Sequence, residues 1–198
     1  MAMNEEVPLN TEEKESPWEL VRFVLLALLI MVPIRMFVIQ PFVVSGASMY
    51  PTFNDKNYLI VDEISYHLGN PDRYDVVIFR YPNDPKKFFI KRIIGLPGET
   101  VEVKDEAVKI YNEQNPEGMV LEENYANFDG DCIKSKTEAS EKLGAGEYFV
   151  MGDNRYCSSD SRFWGSVDKD LLVGRALVRL WPVKNLDMWP GAHTEGVE

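Results

Sequence analysis

A mainly β, antiparallel domain preceded by one transmembrane α-helix is the architecture that this 198-residue sequence predicts. Three observations carry the expectation. A long apolar run lies near the N-terminus. Beyond Pro41 the hydrophobic pattern changes from helical to short stretches bounded by Gly, Pro, Asn and Asp. Pro71, Pro82, Pro85 and Pro97 leave no room for long helices there.

Residues 1–17 are polar, five Glu against one Lys, a balance of −4 with no periodicity, and read as a disordered tail. The apolar run follows, with an anchor helix expected over 18–40. Trp18 to Ile39 is 22 residues, roughly 33 Å as a helix, enough to cross a bilayer. Trp18 and Phe42 suit the two interfaces, Arg22 and Arg35 can snorkel, and Pro41 stops the helix. A cleaved signal peptide would carry a basic rather than an acidic leading region and a shorter apolar stretch. Lys14 and Arg22 on one side balance Arg35 and Lys56 on the other, so charge does not orient the span.

Residues 41–190 form the β-rich domain, a sandwich or a distorted barrel. Strands are predicted at 58–64, 75–81, 87–94, 99–105, 107–112, 147–153 and 171–183. Residues 113–146 are polar and poor in β-branched side chains, and read as a long, loosely folded insertion. Residues 191–198 read as a loose C-terminal tail.

The net charge of −11 argues against nucleic-acid binding, which draws its affinity from clustered Lys and Arg. Cys132 and Cys157 can form one bridge or remain two thiols. The two histidines, His67 in a polar connection and His193 in the tail, limit metal and His-based chemistry.

Three segments carry the candidate chemistry. "SGASMYPTF" (45–53) follows the apolar run. Small residues at Ser45-Gly46-Ala47 suit a cleavage site in this chain itself, whereas Ser48 could be a nucleophile that cuts other chains. A serine needs a base for that, and neither histidine is well placed to be one. "FFIKRIIGLPGE" (88–99) puts Phe89, Lys91 and Ile93 on one face of a strand and Phe88, Ile90, Arg92 and Ile94 on the other. One of the two cations should therefore enter an apolar environment. A desolvated lysine loses its proton more readily and can then act as a general base. In "MGDNRYCSSDSRFWGSV" (151–167), Asp153, Arg155, Asp160 and Arg162 can form ion pairs that stiffen the loop. Ser158 and Ser159 offer hydroxyls to aim a neutral amine. With no His nearby and arginines among the carboxylates, a metal site is not expected.

With these segments and "YDVVIFRYP", the chain resembles bacterial type I signal peptidases, membrane-anchored serine endopeptidases with a Ser/Lys dyad. The likeness runs from Trp18 to about Pro182, with the motifs in the same order. It implies Ser48 as nucleophile, Lys91 as general base and Ser158 as the hydroxyl that orients the lysine. Asp160 and Arg162 then support the site, with Asp153, Asn154 and Arg155 completing the box. Val43, Val44 and Ile90 would line shallow pockets for small side chains.

The resemblance further implies cleavage of exported preproteins after Ala-x-Ala-like sites, without metal or cofactor. It implies a single-pass protein of the bacterial plasma membrane, with its catalytic domain on the extracytoplasmic face. Trp164, Trp181 and Trp189 are candidates for touching the bilayer. Tyr156 and Cys157 depart from the usual polar pair, and Gly46 stands where some members have a serine that assists the oxyanion hole. The Ser48 backbone N–H is the donor expected there. Rival readings are a specialised pilin-type peptidase and a catalytically silent membrane-anchored assembly protein. Intact Ser48, Lys91 and Ser158 argue against the silent protein.

Overall fold

The computed structural model describes residues 17–37, 39–129, 132 and 138–193, with side chains throughout except at 32–37, 39 and 67–68. Of the expected tail over 1–17, residues 1–16 lie outside this range, as do the last five residues.

Helix α1 spans Pro17–Phe37. Leu20, Phe23, Leu25, Leu29 and Ile30 are all exposed, so apolar side chains cover it on all sides. Among the described residues no helix is long and apolar enough to cross a membrane; the side chains described in α1 run from Pro17 to Met31. The helix also ends before the expected residue 40. Ile39–Val43 is instead strand β1, paired antiparallel with β2 (Tyr58–Asp62) from Ile39↔Asp62 to Val43↔Tyr58. Pro41 accounts for the change. It biases Gln40 toward extended backbone, and it is tolerated because β1 is an edge strand whose outer side forms no ladder.

After β2 and the short helix α2 (Ile64–Leu68) come β3 (Val76–Tyr81), β4 (Asp84–Gly95), β5 (Thr100–Lys104), β6 (Ala107–Tyr111), β7 (Met119–Val120), β8 (Ala139–Lys142) and β9 (Glu147–Met151). Helix α3 (Ser161–Trp164), β10 (Val167–Asp168), β11 (Leu172–Trp181) and β12 (Asp187–Met188) follow. All seven predicted strands are present. The large sheet has the order β1-β2-β11-β3-β4-β9-β10, with β12 beside β11. A second sheet has the order β7-β6-β5-β8.

Burial follows strand alternation. In β5 and β6, Val101, Val103, Val108 and Ile110 point inward, joined by Ile94, Phe149 and Met151 in one core. Asp105 and Glu106 join these strands with positive φ at both positions (49° and 69°), as a two-residue hairpin turn requires. Strand β3 is buried on both faces, hence its continuous apolar run. Val76 and Ile78 pack with Val44, Met49, Phe53 and Leu59, while Val77 and Phe79 pack with Ile93, Tyr148 and Val150.

Two segments expected to be loose carry ordered contacts among their described residues. The 113–146 insertion holds strands β7 and β8, and its residues 123–127 pack against the site described below. The start of the expected loose tail is also engaged. The Gly191 carbonyl accepts from Arg92, and the His193 ring packs against Tyr74 and Tyr125 at 4.8 and 5.1 Å.

Candidate active site

The site is built where a turn, the middle of β4 and the loop after β9 meet. Ser48 lies in the turn after β1, between exposed Ala47 and buried Met49. Met49 and Phe53 anchor that turn in the core with Leu59 and Ile78. Gly46, with φ +91°, makes the bend that few other residues adopt, and its N–H donates to Asp55 Oδ1 at 2.9 Å. The Ser48 carbonyl accepts from the Asn154 N–H at 3.0 Å, which ties the turn to the loop after β9.

Lys91 projects from β4, which is held by β3 on one side (Val77↔Lys91) and by β9 over its C-terminal half. Its residue exposure is 4%, and its Nζ lies 2.8 Å from Ser48 Oγ. The amine also donates to the Ile90 carbonyl at 2.9 Å. Burial pushes the Lys91 pKa down from 10.5 to about 8, against the opposing pull of the Asp160 and Asp153 carboxylates and with a smaller lowering by Arg162. The amine is therefore largely neutral only above about pH 8, and a neutral amine can accept the Ser48 hydroxyl proton.

Alternation across β4 predicts one buried cation, yet both are buried. Arg92 is 0% exposed, because β4 has a core on each side. It survives there because every guanidinium nitrogen has a partner. Its Nε and Nη2 donate to Asp153 Oδ1 and Oδ2 at 2.9 and 2.7 Å, and its Nη1 donates to the Tyr74 and Gly191 carbonyls. Asp153 also accepts from Thr52 Oγ1 at 2.5 Å, so a single carboxylate joins the nucleophile turn to the lysine strand.

The ion pairs expected within residues 153–162 form there in only one case. Asp160 Oδ1 and Oδ2 accept from Arg162 Nε and Nη2, each at 2.8 Å, and Oδ2 accepts from the Gly152 N–H at 3.0 Å. Asp153 and Arg155 instead reach outside the segment, to Arg92 and Glu123.

Ser158 is 2% exposed, and its hydroxyl packs against Gly152. A Cβ built on Gly152 would fall 2.3 Å from Ser158 Oγ and 2.4 Å from the Ser48 carbonyl oxygen, so these three residues meet at one point. Ser159 is exposed and lines the groove with Ser48 and Lys91. That groove has a volume of about 250 Å³, and Val43, Val44 and Ile90 all line it, with Phe42 and Phe88. Its walls are mainly apolar.

Cys132 and Cys157 are joined in a disulfide, with Cα atoms 5.3 Å apart. Tyr156 hydrogen-bonds Glu106 in the β5–β6 turn. Both departures in the box therefore tether it to neighbouring segments.

Sequence reasoning misses Thr52, Arg92, Glu123 and Asn127 as parts of this site. An arginine beside the lysine in an otherwise apolar strand is a visible sign that a buried acid is needed, but nothing local says which acid.

The profile of one family, described as signal peptidase, peptidase S26, matches residues 17–181. A signal peptidase I from Leptolyngbya laminosa is 40% identical over 169 residues, covering 81% of this chain and 78% of its own. A probable signal peptidase I-2 from a Synechocystis strain is 36% identical over 201 residues, covering 96% and 87%. The signal peptidase I of Bacillus caldolyticus is 32% identical over 183 residues, covering 88% and 96%. The match runs from the first turn of α1 to the last residue of β11 and so includes both Ser48 and Lys91; this chain belongs to the signal peptidase family, peptidase S26.

Proposed function

We propose that the protein is a serine endopeptidase that cleaves signal peptides from exported preproteins after small, Ala-x-Ala-like residues, with Ser48 as nucleophile and Lys91 as general base. The observation that carries this reading is the 2.8 Å approach of a buried lysine amine to a serine hydroxyl at the head of a small apolar groove.

Neutral Lys91 Nζ takes the Ser48 proton as Oγ attacks the scissile carbonyl carbon. The resulting oxyanion is held by the Ser48 backbone N–H. The Lys91 ammonium then gives its proton to the leaving amine as the peptide bond breaks. Water, deprotonated by the same amine, hydrolyses the acyl ester and regenerates Ser48. Ser158 orients the Lys91 amine. Asp160, Arg162, Asp153, Asn154 and Arg155 hold the surrounding loop, and Val43, Val44 and Ile90 select small side chains.

The chain is a single-pass protein of the bacterial plasma membrane in this reading, with α1 as its anchor and the β domain on the extracytoplasmic face. The exposed apolar side chains around α1 support a lipid environment, since such a helix is otherwise buried in protein. The test is processing of a preprotein, and of a peptide with an Ala-x-Ala site, by the purified protein. Ser48→Ala and Lys91→Ala should each abolish cleavage while remaining folded; cleavage at the parent rate by either variant overturns the dyad.

A further inference from the structure

The two members of the dyad are supported very differently. Lys91 stands in a strand between two ladders, whereas Ser48 stands in a turn whose carbonyl is held by Asn154. Asn154 belongs to an irregular loop, so the accuracy of the nucleophile depends on what holds that loop. The described residues of the polar excursion supply a holder. The Asn127 N–H donates to the Asp153 carbonyl at 2.7 Å, and the Asn127 carbonyl accepts from the Arg155 N–H at 2.8 Å, a parallel bridge that brackets Asn154.

Four residues earlier in the same segment, Glu123 accepts from Arg155 Nη1 and Nη2 at 2.7 and 2.6 Å, both side chains being nearly buried. Arg155 Nε in turn donates to the Gly152 carbonyl at 3.1 Å. Between them, the Tyr125 ring lies 4.0 Å from the Arg92 guanidinium, the partner of Asp153. A bidentate Arg–carboxylate pair fixes direction as well as distance, which a single hydrogen bond does not.

We propose that Glu123 is a positioning residue for catalysis: through Arg155 and the Asn127 bridge it fixes Asn154, and through Asn154 the backbone of the nucleophile Ser48. It touches neither substrate nor the reacting atoms. Its effect falls on the transition state, because the oxyanion donor and the Oγ are both set by the Ser48 backbone, and small displacements there are costly. Ground-state binding in the groove, walled by β1 and β4, is left alone. The proposal rests on the assignment of Ser48 as nucleophile.

The experiment is steady-state cleavage of an Ala-x-Ala peptide by the full chain, well below the melting temperature, with folding checked by circular dichroism. Glu123→Gln should lower kcat at least tenfold per folded molecule while KM stays within twofold. Loss of folded protein alone would lower the amount of active enzyme rather than its turnover. Since Glu123→Gln leaves Arg155 buried without its charge partner and can fail to fold, the double variant Glu123→Leu, Arg155→Met removes the pair together. It should show the same kcat loss with KM unchanged. Folded variants with kcat within twofold of the parent overturn the proposal, as does a tenfold rise in KM at constant kcat. Ser48→Ala runs alongside: cleavage by it overturns the nucleophile assignment itself, separately from any result at Glu123.

Discussion

Lys91 Nζ and Ser48 Oγ lie 2.8 Å apart although 43 positions separate them in the chain. The contact exists because Asp153 binds both neighbourhoods, through Thr52 on the serine side and Arg92 on the lysine side. Two consecutive buried cations in β4 thus divide the work. Arg92 is permanently charged and structural, while Lys91 is poised to lose its proton.

The pH dependence of turnover follows from that poise. Lys91 must be neutral to accept the Ser48 proton, and burial places its pKa at about 8. The expected kcat/KM rises about tenfold per pH unit on the acid side, bends near pH 8 and levels off above it. A kcat/KM–pH profile that is flat between pH 6 and 9 overturns a lysine base with this pKa.

The same burial has a stability consequence. The folded-state pKa of Lys91 lies below its unfolded value of 10.5, so the unfolded chain binds more protons between about pH 8 and 10.5. Stability therefore rises with pH through that window, and below about pH 8 the whole cost of the buried ammonium stands. Lys91→Met, similar in size and without a charge, should stabilise the protein at pH 7 by up to roughly 3 kcal/mol, read by urea denaturation. The gain should disappear above about pH 10.5. Destabilisation at pH 7 would mean that the amine is not held against its own desolvation.

Gly152 makes a further prediction. Any Cβ there would fall within 2.5 Å of Ser158 Oγ, Ser158 Cβ and the Ser48 carbonyl oxygen, and the last of these is backbone that cannot rotate away. Gly152→Ala should push the nucleophile turn and lower kcat by two or more orders of magnitude, with a protein that still folds. Parent-like turnover in that variant would show that the turn has room to move without consequence.

Much of this protein is legible in one dimension. Alternation in segments such as "TVEVK" and the continuous run "VVIF" place the strands, because burial on one face or two leaves a local pattern. Ile39–Val43 is not legible as a strand. Pro41 marks the end of the helical run, but only pairing with β2 shows that a strand already begins before it, at Ile39. The 113–146 excursion misleads for a related reason. Its polar side chains look solvated, but Glu123 is polar because it faces a buried arginine.

The sequence by itself determined the β architecture, the identity of Ser48 and Lys91 as candidates, and the box that surrounds them, since each is written in contiguous residues of recognisable type. Only the tertiary structure decided that the amine reaches the hydroxyl, that Arg92 and not Arg155 binds Asp153, and that Cys132 meets Cys157. Those are pairings between segments far apart in the chain. For the ion pairs the selection is a penalty: a cation or carboxylate buried without its partner is strongly destabilising, so Arg92 must meet Asp153 and Arg155 must meet Glu123.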